Sequence, residues 1–187
     1  NRVSGLREVR KATNLPLIAT NRRRDEGGLR RLDDEKRAGA LIRAADEGFD
    51  YVDLELLTPA THERIEDLKE KGAKVIVSFH DLHRTPPISV LERVLGEERE
   101  VSADVCKIVG TVRAVEDNLA YLDLLARNRR RRRTVCFGMG DKGRLSRVMS
   151  PLFGAEFTYA SLKEGCEAAP GQLTVADLRQ IYRLMGL

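Results

Sequence analysis

The chain has 187 residues, enough to bury a substantial core without disulfides or metals. A composition of 42% hydrophobic and 33% charged residues excludes a disordered polymer, although tryptophan is absent. The 33 basic groups nearly balance the 29 acidic ones, so the net charge of +4 describes mixed surfaces and excludes a dedicated polyanion binder.

In chain order, the first helical pattern is Ser4 to Thr13, with Leu6, Val9 and Arg10 at helical spacing. Short β-branched runs then alternate with longer amphipathic ones. The runs Leu15 to Asn21, Asp50 to Leu56, Lys74 to His80, Asp104 to Gly110, Thr134 to Gly140 and Phe157 to Leu162 read as six strands. Between and after them, Asp33 to Glu47, Thr58 to Lys71, Pro86 to Glu98, Val112 to Arg127, Arg144 to Phe153 and Thr174 to Met185 read as helices. Thr58 before Pro59 predicts an N-cap with proline in the first turn, and Thr174 with Asp177 predicts a capping box. Nowhere does an apolar run reach the roughly 18 residues needed to cross a bilayer, and no secretory leader is visible. Cys106, Cys136 and Cys166 are odd in number and lack C-x-x-C spacing, which points to a reducing cytoplasm.

Repeated strand-helix units require parallel strands with helical crossovers, in a doubly wound sheet or a closed barrel. Asp53, Glu55, Ser78, His80 and Lys107 lie within or at the ends of otherwise apolar strands. A barrel gathers such inward positions around one pocket, at the carboxyl ends of its strands. The expected fold is therefore α/β, a (β/α)8 TIM barrel forming a single domain over residues 1–187. Six strands fall two short of eight, and an open barrel would expose strand edges. A leading strand-helix-strand piece is therefore expected to be missing, with Asn1 an artificial start.

Lys107, in Asp104-Val105-Cys106-Lys107-Ile108-Val109-Gly110, is surrounded by strand formers. A desolvated amine there could attack a ketone and form an imine, whose cationic nitrogen stores electrons. A structural lysine snorkelling to solvent is the alternative. His80 ends its strand and suits proton transfer near neutral pH, against a hydrogen-bonded structural histidine. His83 reads as loop and His62 as exposed helix, and the spacing of these groups matches no zinc signature. Gly138 to Gly143 fits G-x-G-x-x-G after a strand, but only one further strand follows it, so a glycine-permitted turn is the better reading than a dinucleotide site. The run Arg127 to Arg133 links a helix end to a strand without interleaved aromatics and reads as solvated loop.

A series of segments together carries a resemblance. Pro16 to Arg22 followed by Glu26-Gly27-Gly28, Asp50 to Leu56, Ser78-Phe79-His80-Asp81 continuing to Thr85-Pro86, and Lys107 come first. Met139-Gly140 with Ser146-Arg147, Phe153-Gly154 and Ala169-Pro170-Gly171-Gln172 follow in order. This arrangement resembles the type I 3-dehydroquinate dehydratases, the Schiff-base enzymes of the shikimate pathway.

The resemblance implies dehydration of 3-dehydroquinate to 3-dehydroshikimate, with Lys107 as imine lysine, His80 as general acid and base, and Glu26 orienting the imidazole. It implies Arg22 and Arg147 as anchors for carboxylate and hydroxyls, Gln172 closing the pocket from a mobile loop, no cofactor or metal, and a cytoplasmic homodimer with no nucleic-acid or membrane partner. Ala168 stands where the family commonly has a serine hydroxyl, which should weaken binding by roughly 0.5 to 1.5 kcal/mol. The competing readings are another class I Schiff-base barrel of aldolase or transaldolase type, and a truncated non-catalytic interaction module.

Overall fold

The computed structural model describes residues 2–29, 31–129 and 133–187. In chain order the elements are α1 (Arg2–Lys11), β1 (Ile18–Thr20), α2 (Asp34–Asp46), β2 (Tyr51–Glu55), α3 (Thr61–Glu70), β3 (Lys74–Asp81) and α4 (Ile88–Glu100). They continue with β4 (Val105–Thr111), α5 (Asn118–Asn128), β5 (Thr134–Met139), α6 (Arg144–Met149) and α7 (Val175–Leu184). The strands form one sheet in the order β1-β2-β3-β4-β5. Pairing of β1 with β2 and of β2 with β3 is parallel, with Thr20 opposite Asp53 and Glu55 opposite Ser78. A strand followed by a helix leading to the next parallel strand is what the alternating pattern requires.

Two compact units divide the chain, one of residues 1–80 with 94–107, the other of 81–93 with 108–187. The first buries Val52 and Leu54 of β2, Val75, Ile76 and Val77 of β3, Ile65 and Leu68 of α3 and Leu95 of α4. Both faces of β2 and β3 are covered, the signature of parallel strands flanked by helices. Asp33 starts α2 by accepting from the Lys36 N–H at 2.7 Å. The second unit buries Ile108, Val109, Tyr121, Leu124, Leu125, Val135, Cys136 and Phe137. Its last helix opens on the expected capping box, with Thr174 Oγ1 accepting from the Asp177 N–H at 3.0 Å and Asp177 Oδ2 accepting from the Thr174 N–H at 3.1 Å. Cys106 and Cys136 are buried thiols and Cys166 is exposed.

Several expectations are corrected. Residues 157–162 do not form a sixth strand: among the described residues their only ladder pairing is the isolated bridge between Ser161 and Thr174. Tyr159 packs edge to face on Phe157 at 5.5 Å and on Phe137 of β5 at 6.0 Å, contacts of side chains and not of a ladder, and Leu162 is exposed. Thr58 is not an N-cap. The helix starts at Thr61 after Ala60 in the left-handed region, and the Thr58 hydroxyl turns back 3.4 Å from Glu55. The expected helices over 112–127 and 144–153 each include a tighter 3-10 turn, at Val115–Asp117 and Ser150–Phe153. Of the expected arginine loop, Arg127 and Asn128 end α5 and Arg133 leads into β5, while Arg130, Arg131 and Arg132 lie outside the described residues, as does Asn1.

Candidate active site

β2, β3 and β4 carry four buried polar residues of the first unit, Asp53, Glu55, Ser78 and Lys107. Asp53 on β2 is fully buried, and its carboxylate is the hub. Lys107 Nζ on β4 donates to Asp53 Oδ2 at 2.8 Å, Arg22 Nη2 donates to the same oxygen at 2.8 Å, and Ser78 Oγ on β3 donates to Oδ1 at 2.6 Å. Complete burial works to raise the Asp53 carboxyl, yet Lys107 and then Arg22 outweigh it and hold the group well below the usual carboxylate range. Lys107 itself is only 6% exposed.

Beneath this hub lies a second layer. Glu55, also fully buried, takes a hydrogen bond from the Arg23 N–H at 2.8 Å and pairs with Arg22 Nη1 at 3.2 Å. Its other oxygen is held by Arg37 Nη2 from α2. Arg37 is buried on the same side of α2 as Ala38, Leu41, Ala44 and Ala45, and it also donates to Asp34 Oδ1 at 2.6 Å and to the Asn21 carbonyl at 2.9 Å. Buried charges are tolerable when each has such partners.

His80 on β3 meets Glu26, whose Oε2 lies 2.9 Å from the imidazole Nδ1. The loop after β1 makes this meeting possible. Residues Arg24–Glu26 form a 3-10 turn closed by Gly27 at φ 96°, and the Gly28 N–H returns to the Arg23 carbonyl at 2.7 Å. A Cβ on Gly28 would stand 1.9 Å from the Arg22 carbonyl oxygen, so no side chain fits there. That explains why two glycines follow the glutamate.

Burial first, then Arg22 and Lys107, press the His80 imidazole well below its ordinary range, so it is neutral at physiological pH. Burial, followed by the repulsion of Glu55, Asp25 and Asp53 against the attraction of Arg22, pushes the Glu26 carboxyl up to about 8. One proton is therefore shared across the pair near neutral pH, and its loss leaves an anionic Glu26 facing an Nδ1–H, with Nε2 open as a base.

Charge of another kind sits on α4. Glu98 is fully buried on the side that also carries Val94 and Leu95, and neither carboxyl oxygen has a hydrogen-bond partner among the described residues. Burial, then the nearby Asp53 charge, pushes this acid well above the ordinary carboxyl range.

Arg147 and Gln172 belong to the second unit. Arg147, on α6, is 2% exposed and lies with its guanidinium carbon 4.4 Å from the Phe137 ring centre. No carboxylate pairs with it among the described residues, its Nε is unpartnered, and its one protein hydrogen bond there is a long one of 3.4 Å to the Pro170 carbonyl. Burial lowers its pKa to about 10, which still leaves it cationic. Gln172 closes its own loop, its Oε1 accepting from the Ala168 N–H at 2.8 Å. That loop stacks on the glycine turn after β5: Pro170 O accepts from the Gly140 N–H at 3.2 Å, and Gly140, at φ 84°, occupies the left-handed region. His83 is exposed in a loop and His62 exposed on α3, as expected.

Lys107, His80, Glu26 and Arg22, the candidates legible in the sequence, are brought together by the first unit. Asp53, Glu55 and Ser78 are legible there only as polar residues in strands, and Arg37 and Glu98 do not stand out at all. Arg37 and Glu98 share the helical phase of the apolar residues, a signal that their charge overrides because charged side chains in such a pattern are ordinarily assigned to solvent.

Fold and cluster together define the class: a parallel α/β protein whose strands gather a buried lysine, a carboxylate hub and a neutral histidine. The family follows from comparison with known proteins. The family model for type I 3-dehydroquinase matches residues 3–187, and the chain belongs to that family. A 3-dehydroquinate dehydratase of Dehalococcoides mccartyi is 36% identical over 177 residues, which are 95% of this chain and 79% of that protein. Among solved structures, 3-dehydroquinate dehydratase from Geobacillus kaustophilus superposes with a TM-score of 0.89 at 25% identity, covering 98% of this chain and 72% of that one. The type I enzyme from Clostridium difficile, solved with covalent modified comenic acid, gives 0.86 at 25% identity, covering 98% and 77%. The fold class is thus the TIM barrel of these neighbours.

Proposed function

We propose that this chain dehydrates 3-dehydroquinate to 3-dehydroshikimate, a step of the shikimate pathway, through an imine on Lys107. The observation that carries the reading is a lysine only 6% exposed, held beside a neutral histidine that has its own carboxyl partner. Family membership and the relatives' shared activity support it. The family model runs through both units, which supports treating the chain as one catalytic domain.

In this mechanism the Lys107 amine adds to the substrate ketone and water leaves, giving an iminium. His80 Nε2 removes the adjacent C2 proton, and the electron pair moves into the iminium to give a neutral enamine. The enamine then expels the C1 hydroxyl, which takes the proton from His80 and departs as water. Hydrolysis of the conjugated iminium frees the product and the lysine. Glu26 fixes the imidazole tautomer through Nδ1 and stabilises its charged form between the two transfers. We assign Arg147 to the substrate carboxylate, because a buried guanidinium without a carboxylate partner among the described residues is an anion receptor. Arg22 and Gln172 are assigned to the hydroxyls.

The test is borohydride reduction in the presence of 3-dehydroquinate, followed by peptide mass spectrometry. A substrate-derived mass on Lys107, absent in Lys107→Arg, is the expected result. A chain that dehydrates the substrate with no trapped adduct would sink the imine, and a chain that traps other ketones but not 3-dehydroquinate would sink the substrate.

A further inference from the structure

Asp53 takes no part in the transfers just described, yet it touches the reacting nitrogen. Its Oδ2 accepts from Lys107 Nζ at 2.8 Å with both side chains buried. Two further donors lock its orientation, Ser78 Oγ on Oδ1 at 2.6 Å and Arg22 Nη2 on Oδ2 at 2.8 Å. A carboxylate held this rigidly beside an amine has a use that a simple ion pair does not require.

We propose that Asp53 is a catalytic counter-ion, taking a proton from the Lys107 ammonium as attack begins and balancing the charge of the iminium that replaces it. The inference rests on the reading of Lys107 as the imine lysine. The bookkeeping favours it. An ammonium and a ketone become an iminium and one water, so the nitrogen carries a single positive charge before and after. In between, one ammonium proton passes along the existing hydrogen bond to Asp53 Oδ2 and the freed lone pair attacks the carbonyl carbon. A second proton moves from nitrogen to the carbinolamine oxygen, and the proton on Asp53 joins the departing hydroxyl to complete the water. The iminium keeps one N–H, which donates to the carboxylate again. Water is largely excluded from this cluster, so a fixed carboxylate acts there far more strongly than it would in solvent. The other charged or titratable groups around the pair are Arg22 and Glu26 from the loop after β1, Glu55 on β2, His80 on β3 and Glu98 on α4. Asp53→Asn leaves each of them in place, but it takes a charged partner from Arg22, relieves the repulsion on Glu26 and Glu98 and removes an attraction that favours protonated His80, which is why the readouts are taken at Lys107 itself.

The test compares the parent chain with Asp53→Asn, which keeps the shape and an acceptor oxygen but removes the charge. Two readouts are taken as a function of pH: acylation of Lys107 by trace acetic anhydride, followed by peptide mass spectrometry without substrate, and the borohydride-trapped adduct with 3-dehydroquinate. In Asp53→Asn the lysine becomes reactive at a pH lower by one unit or more, about tenfold in proton affinity. Its trapped adduct falls by about tenfold or more near pH 8 and recovers as the pH is lowered, because only the protonated imine is reduced readily. Ser78→Ala moves both readouts the same way by about two- to threefold. It carries the test where Asp53→Asn does not fold.

Unchanged acylation in Asp53→Asn overturns the proposal, and so does a shifted acylation profile with unchanged trapping, which would leave Asp53 as an ion-pair partner alone. No adduct in the parent chain is a different failure: the substrate reading falls, and Asp53 loses its catalytic role even where the acylation profile shifts.

Discussion

Arg37 and Arg147 are equally buried, each 2% exposed, and they are treated in opposite ways. Arg37 meets Glu55, Asp34 and the Asn21 carbonyl, so its charge is compensated inside the protein. Arg147 has an aromatic face, one long bond to a carbonyl and no carboxylate among the described residues. A buried cation with all its partners present is scaffold, since it spends its hydrogen bonds holding Glu55 and through it Arg22. A buried cation without them is kept for something that arrives.

Breaking this contrast starts with the scaffold. Arg37→Met takes the cation from Glu55 Oε2, leaving the buried carboxylate only its Oε1 partners Arg22 and the Arg23 N–H and the long Thr58 contact, and should cost about 3 kcal/mol of stability, read as a lower urea midpoint. Arg147→Met should leave that midpoint unchanged or raised, because no internal partner is abandoned. It should raise KM for 3-dehydroquinate by roughly 10- to 100-fold, the worth of a charge-assisted bond, with a smaller effect on kcat. Similar stability losses in the two variants would erase the distinction.

Glu98 sharpens the comparison from the anionic side. Its folded pKa lies above its unfolded one, so its contribution is intact below about pH 4.3 and drains away as pH rises toward the folded value, by up to about 1.4 kcal/mol per unit. Glu98→Leu should therefore be more stable than the parent near neutrality, by a margin that widens with pH in urea melts between about pH 5 and 8. The smallest effect concerns the histidine pair. With the Glu26 carboxyl pushed up to about 8, kcat/KM should rise with pH through that region as the pair sheds its shared proton. Glu26→Gln should lower the plateau and move the rising limb to more acid pH, where the depressed imidazole alone decides.

Much of this was legible in the residues. Alternation of β-branched and amphipathic runs located all five strands, and polar residues inside β2, β3 and β4 marked the inward face. Glu26-Gly27-Gly28 stood out only as a motif of the resemblance; the loop that doubles back there is a finding of the structure. Two kinds of information were not legible. One is the orientation of charged residues on helices: Arg37 lies one turn before Leu41, and Glu98 four residues after Val94, yet a charged side chain in an amphipathic pattern is ordinarily assigned to solvent. Only their burial reverses that assignment. The other is strand partnership. Residues 157–162 have the composition of a strand, but a strand also requires a neighbour at ladder distance, which local composition does not encode.

The unequal burial of the three cysteines gives the protein a native spectroscopic handle. A maleimide dye reaches the exposed Cys166 ahead of the buried Cys106 and Cys136, so one label attaches without any engineering. That label sits two residues before Ala168, whose N–H the Gln172 side chain holds, so its emission would report on the surroundings of that contact.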